Sequence, residues 1–262
     1  MEHNYLDELA LRSSPVHRRE TRVKLACALA LIVAAVLVPP ERSWPFAAFL
    51  ALLAAVLAAA RLPLLPVLRR AAAFGPFVLT AVVLLPFTRP GDGTVSAVLP
   101  GLRVHVYRAG LLAAKGVLLK SLICAFSVVL LTSTTRFSSL LAALERLRFP
   151  RLLLVVVAFL YRYLFLLQGE FLRLTRAARA RNWERGPARV RLRAAGGIVG
   201  SLFLRTYERG ERIYTAMLAR GFDGRFRTVP EPGPGGADWA ALAVFLCLVI
   251  GVTAAGLAGA GP

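Results

Sequence analysis

The sequence predicts an all-α, polytopic helical membrane protein, with about five transmembrane helices and a separate basic, cytoplasmic or interfacial helical domain. Two observations carry this. Hydrophobic residues make up 57% of the 262 residues and mean hydropathy is +0.63, against about 45–50% apolar for ordinary soluble domains, and the excess falls in separated runs. Charge is equally uneven: the net value is +19, and fourteen arginines face five carboxylates between Glu170 and Arg227. In a soluble chain such a balance points to nucleic acid. Beside apolar runs it points to cytoplasmic loops near anionic lipid or an acidic protein partner, and no nucleic acid is expected. Three segments result: 1–134 with the first four membrane helices, the basic domain 135–229, and 230–262 with a linker and the last membrane helix.

Residues 1–24 are polar and end in Arg18, Arg19, Arg22 and Lys24; no cleavable signal is expected, and positive charge beside the first apolar run places this end in the cytoplasm. Leu25 to Val38 is a short apolar helix stopped by Pro39-Pro40 and extended by snorkelling of Arg22 and Lys24. Trp44 to Ala60 returns, with Trp44 as an interface anchor. Arg61 to Arg70, broken by Pro63 and Pro66, reads as a basic cytoplasmic connector. Phe74 to Phe87 crosses outward, Arg89 to Arg108 forms the longest external loop, and Ala109 to Leu131 crosses back. Lys115 and Lys120 interrupt that helix. A lysine inside a membrane helix is a functional candidate; the plainer reading is snorkelling, which suits Lys115 better than the deeper Lys120.

Thr132 to Thr135 supplies candidate N-caps for an amphipathic helix in which Leu140, Leu141, Leu144 and Leu147 share a face and which ends at Pro150. Leu152 to Leu167 is apolar enough to span, but parity opposes it. With the N-terminus inside, four crossings return the chain to the cytoplasm near Arg136, and a fifth at Leu152 would carry the arginine-rich stretch outside. The run is therefore expected as a buried or shallow membrane-embedded helix that continues into the basic domain, with Arg162, between Tyr161 and Tyr163, at the polar boundary. Two basic helices follow, about Gln168 to Arg181 and about Val199 to Arg220, joined by a connector through Gly186-Pro187 and Gly196-Gly197. Pro230 to Gly236 cannot continue a helix, and Trp239 to Leu257 is the last crossing.

Catalytic chemistry is sparse. There is no GxxxxGK[ST] phosphate cradle, HExxH or GxSxG. His3, His17 and His105 are isolated, and Cys27, Cys124 and Cys247 stand singly in apolar runs. No catalytic residue, metal ligand or cofactor site is expected, so the chain is read as non-enzymatic. The informative motifs are Ala180-Arg181-Asn182 and Ala219-Arg220-Gly221. Each ends a helical run in Asn or Gly, the residues best able to take the left-handed conformation that closes a helix. One such arginine ordinarily just complements the negative end of the helix dipole. Two helix ends, each presenting an always-charged, multi-donor guanidinium before a turn residue, would suit two equivalent clefts lined with acids and carbonyls, and so a pair of identical or similar partners.

These motifs belong to a larger ordered set: Tyr5-Leu6-Asp7, Ser13-Ser14-Pro15-Val16-His17-Arg18, Arg22-Val23-Lys24-Leu25 and Tyr161-Arg162-Tyr163-Leu164-Phe165. Together they resemble the transmembrane T component of energy-coupling factor (ECF) transporters, most of all the cobalt-type CbiQ family. The resemblance runs from Tyr5 to the last apolar helix. It implies a non-catalytic scaffold that couples two cytoplasmic ABC ATPase subunits, which bind the ATP and Mg, to a separate CbiM-like S component that binds the substrate. In that family the arginine motifs end two coupling helices and dock in ATPase grooves; this makes 135–229 the coupling-helix domain. By position the contacts fall on Ala180, Arg181 and Asn182, and on Ala219, Arg220 and Gly221. Asn182 stands where Gly or Ser is common, which makes Arg179 a further candidate for the first contact; Arg162 and Lys120 are additional structural or coupling candidates. The expected location is the inner (plasma) membrane and the expected cargo cobalt or nickel. The alternatives are a T component for a vitamin such as biotin, or a basic scaffold that binds anionic lipid without ATPases. A channel or secondary transporter is weakened by the lack of paired intramembrane acids.

Overall fold

The computed structural model describes residues 14–88, 94–99, 102–224, 233 and 235–258. They form α1 (Thr21–Leu37), α2 (Trp44–Ala60), α3 (Leu64–Ala72), α4 (Gly75–Thr88), β1 (Thr94–Leu99), β2 (Leu102–Tyr107), α5 (Arg108–Thr134), α6 (Phe137–Arg146), α7 (Arg151–Ala180), a 3₁₀ turn (Trp183–Arg185), α8 (Ala188–Ala219) and α9 (Gly236–Ala258). The chain divides into two compact units, one of Glu2–Leu140 with Glu231–Pro262 and one of Leu141–Pro230.

The first unit packs α1 against α5 and α9, and α2 against α5. Its core joins Leu31, Ala35 and Val38 of the α1 region to Phe46 and Phe49 of α2, Ile123 of α5 and Val249 of α9. Small residues let the backbones close up: a Cβ on Gly110 would lie 2.7 Å from Pro86 Cα, and one on Gly116 would lie 2.4 Å from Pro40 Cβ. Basic side chains satisfy carbonyls left open at helix ends and in the turn before α1. Lys24 Nζ donates to the carbonyls of His17 at 3.0 Å and Thr134 at 2.9 Å, and Arg42 Nη1 donates to that of Gly256 at 3.3 Å. Arg19 pairs with Asp238 at 3.1 Å, holding the turn before α1 to the start of α9.

Several expectations change here. The stretch from Arg61 to Arg70 is not a plain connector: α3 starts at Leu64 with Pro63 as its N-cap, and Val67 and Ala71 are buried. Pro66 falls in the first turn, where a missing N–H is harmless. The supposed loop before α5 contains a β-hairpin, paired antiparallel from Thr94 with Tyr107 to Leu99 with Leu102, so the helical fold carries one small sheet. Thr132 to Thr135 does not cap α6. The α5 helix runs on through Thr134, and the hydroxyls of Thr132 and Thr134 donate backwards to the carbonyls of Val128 at 2.9 Å and Leu130 at 2.8 Å, the local alternative open to threonine inside a helix. The linker segment 230–232 and Pro234 lie outside the described residues.

Among the described residues α5, α7 and α9 are long and apolar enough to cross a membrane, and α3 with α4, bent by 53°, makes a fourth span if counted as one. Helices α1 and α2 have 17 residues each, short of the roughly 20 that cross a bilayer core comfortably.

In the second unit the run from Leu152 continues without a break into the first basic helix, as expected. Helix α7 is one continuous element of 30 residues in which Leu154 alone is buried, so the expectation of a buried helix does not hold within this unit. Helix α8 starts well before Val199 and absorbs Gly196 and Gly197, which were expected in the connector. A glycine inside a helix costs about 1 kcal/mol relative to alanine, and the 28 residues of α8 other than its four glycines sustain the helix. The true connector is the 3₁₀ turn with Gly186 and Pro187.

Candidate docking site at two helix ends

The two arginine motifs end α7 and α8 with nearly superimposable backbones. Arg181 is the C-cap of α7 at φ −91°, ψ 14°, and Arg220 is the C-cap of α8 at φ −93°, ψ 9°. Each is followed by a left-handed residue, Asn182 at φ 57° and Gly221 at φ 76°. The bonds match as well: Arg181 and Asn182 donate to the carbonyls of Ala178 (3.0 Å) and Arg179 (2.8 Å), while Arg220 and Gly221 donate to those of Met217 (3.0 Å) and Leu218 (2.9 Å). The α8 end adds a bond from Phe222 N–H back to Met217, 3.0 Å long, which completes a Schellman closure. Among the described residues the α7 end has no such third bond.

This closure differs from the other left-handed ends. At α2 and α6 an arginine occupies the left-handed position itself, Arg61 at φ 50° and Arg148 at φ 61°. At α7 and α8 the arginine precedes it, so the guanidinium leaves from the last near-helical residue while the chain turns away. Both Arg181 and Arg220 are exposed, and among the described residues neither guanidinium has a hydrogen bond or ion pair. Arg179 is engaged instead, its Nε donating to Glu184 Oε1 at 2.8 Å. Of the two candidates at the first end, Arg181 is therefore the cation left open.

The register of α7 on α8 follows from two contacts. Glu170 of α7 accepts from Arg205 of α8 at 2.8 Å and also pairs with Arg173. A groove of about 260 Å³ lies between Phe159, Tyr163 and Leu166 of α7 and Arg209, Ile213 and Met217 of α8. Residues earlier in α7 thus meet residues later in α8, and the helices run antiparallel. Met217 and the Arg220 end lie alongside the Phe159 region, whereas Arg181 lies roughly 30 Å further along α7 at 1.5 Å per residue. The two hooks stand at opposite ends of one helix pair.

The remaining candidates have other settings. Arg162 is exposed in mid-helix, flanked by the i,i+4 aromatic pairs Phe159–Tyr163 and Tyr161–Phe165. Lys120, in the other unit, donates to the Val36 carbonyl at 2.7 Å, and Lys115 donates to Ser43 Oγ at 2.6 Å. Lys120 thereby satisfies an open carbonyl in the last turn of α1. Sequence reasoning missed Glu170, the only carboxylate in α7; its isolation among arginines is the clue that was available. Among the described residues no group of three or more His, Cys, Asp or Glu could hold a metal ion.

Apolar helices of spanning length, with a basic helix pair that carries two matched cationic ends, define a polytopic α-helical membrane protein. The chain belongs to the CbiQ cobalt transport protein family, which matches residues 12–230, and is a CbiQ-type T component of ECF transporters. It is 28% identical to an uncharacterized protein of Methanocaldococcus jannaschii over 80% of this chain and 72% of that one. It is 32% identical to the putative fused cobalt transport protein CbiMQ of Methanocorpusculum labreanum, over 47% of this chain and 20% of the relative. It is also 38% identical to the nickel permease LarQ of Lactiplantibacillus plantarum, over 36% of this chain and 33% of the relative. The chain thus spans a third or less of these last two relatives. At this level it is a membrane protein of a cobalt transport family.

Proposed function

We propose that the chain is the energy-coupling subunit of a metal-type ECF importer, with Arg181 and Arg220 each docked in a groove of one of two ABC ATPase subunits. The observation that carries this reading is the matched closure of α7 and α8. Two exposed guanidinium groups, each held in the same backbone setting before a left-handed residue, are what two like clefts require. Five fixed N–H donors on each arginine suit grooves lined with carboxylates and carbonyls. ATP and Mg belong to those partners, and the chain itself performs no chemistry. The fused CbiMQ relative supports a CbiM-like S component as the membrane partner that holds cobalt, and LarQ supports nickel as the other cargo.

The same reading places the protein in the inner membrane, with the N-terminus and residues 135–229 on the cytoplasmic side. Helix α7 has the length of a span, but it lies along α8, whose arginines at 189, 191, 193, 205, 209 and 212 are too many for hydrocarbon. The pair stays at the cytoplasmic face.

The test is gentle co-purification from native membranes together with uptake of labelled cobalt, nickel and biotin. Arg181→Ala with Arg220→Ala releases the ATPases and stops metal uptake, while Arg179→Ala leaves both near normal. Retained ATPases and normal uptake in the double variant would sink the proposal. Equal loss in an Arg176→Ala, Arg191→Ala variant would favour a scaffold that works by total charge.

A further inference from the structure

The geometry points to a binding site for one anionic glycerophospholipid inside the first unit, formed by α1, α2, α5 and α9 and independent of the arginine hooks. A half-open cavity of about 290 Å³ lies there, with walls that include Val23, Leu31, Leu53, Leu130 and Phe245. Along these apolar walls water would lack the two to four polar partners it needs, and apolar surfaces of this kind take apolar matter.

Two polar features say which apolar matter. Arg19, Lys24 and Thr134 line one end of the cavity, where α1 and α9 begin and α5 stops. Arg19 gives one N–H to Asp238, and four of its five donors remain for another acceptor. With Lys24 beside it, this end carries more positive than negative charge among the described residues. The second feature is Ser127. It is 3% exposed, lines the cavity, and its Oγ has no hydrogen-bond partner. Other hydroxyls on the surrounding helices behave differently: those of Ser121, Thr132, Thr134 and Thr253 all donate to a carbonyl four residues earlier. A buried hydroxyl without a partner is uncommon and calls for one.

Ser127 stands two turns before Thr134, roughly 10 Å deeper along α5. A ligand that fits must be anionic at the Arg19 end, offer an acceptor at the depth of Ser127, and continue as hydrocarbon along Leu31 and Phe245. A fatty acid has no acceptor below its head. A glycerophospholipid has its phosphate, then an ester carbonyl, then an acyl chain, in that order.

The full chain, purified in mild detergent, is analysed for bound lipid by mass spectrometry, then stripped and refilled from mixed micelles of phosphatidylglycerol and phosphatidylcholine with identical chains. The expected result is one retained phospholipid per chain and a preference for phosphatidylglycerol of about five-fold, the effect of one basic residue near a membrane surface. Arg19→Gln erases the preference, Ser127→Ala lowers retention, and Ala28→Leu with Ala241→Leu, which fills the cavity, expels the lipid. Each variant is first shown to be monodisperse with unchanged helix content. No retained phospholipid, equal uptake of the two headgroups, or unchanged retention in the filled variant would overturn the site.

Discussion

Replacing Gly221 by valine separates the shape of the α8 end from its charge. Gly221 sits at φ 76°, and a Cβ placed there meets nothing within 4 Å, so the added Cβ is not opposed by a neighbour and Arg220 is left intact. The effect argued here is on the backbone. A left-handed conformation costs an L-residue about 1–2 kcal/mol, and a β-branched one is a genuine outlier there. One or two kcal/mol is a factor of about 5–30 in a two-state population. If the ATPase groove accepts only the closed hook, apparent affinity falls in proportion to the closed fraction. Gly221→Asn, which copies the residue at the α7 end, should recover most of the loss. The assay pairs ATPase retention after gentle extraction with hydrogen exchange of the Phe222 amide, whose bond to Met217 closes the hook. The reasoning is refuted if exchange at Phe222 quickens in Gly221→Val while ATPase binding stays at the wild-type level, since charge alone would then suffice.

Two further outcomes concern packing. Glu170→Gln removes the ion pairs to Arg173 and Arg205; pairs open to solvent on the arginine side contribute little to stability, so melting should shift little. The distance distribution between spin labels at Ala177 and Ala216 should nevertheless broaden, and an unchanged distribution would deny Glu170 a role in setting the α7–α8 register. Gly110→Ala drives a Cβ into Pro86 Cα and the Leu85 carbonyl and should destabilise the protein by about 1–3 kcal/mol. Gly251→Ala, with nothing within 4 Å of its added Cβ, serves as the control; equal melting temperatures for the two would contradict the close packing of α4 on α5.

Much of this was legible in the residues because the relevant rules are local. Trp44 to Ala60 is bounded by proline-rich and basic segments, and α2 takes those limits. Asn182 and Gly221 were recognisable as helix closers because few residues adopt positive φ, and both do so. What the sequence hid depends on context. Gly196 and Gly197 read as punctuation, yet a long helix with good formers on both sides carries through them. Thr132 and Thr134 read as caps, yet they end a helix, because a hydroxyl can bond forwards or backwards and only the continuing backbone decides. The role of Lys120 turned on a carbonyl 84 positions away, which no local pattern reports. The open state of Arg181 against the engaged state of Arg179 likewise required Glu184 to be seen folded back through the 3₁₀ turn.

The third hydrogen bond at the α8 end, absent among the described residues at the α7 end, has a consequence for symmetry. The two hooks agree in outline but not in stiffness: one is locked by glycine and a doubled closure, the other rests on asparagine and a single reverse bond. An adaptor of this kind is polar. Two copies of the same partner, set one at each end, would cease to be equivalent on binding, one gripped by a rigid handle and the other by a yielding one. Directionality could then enter a complex whose other parts are identical, without any difference in their own sequences.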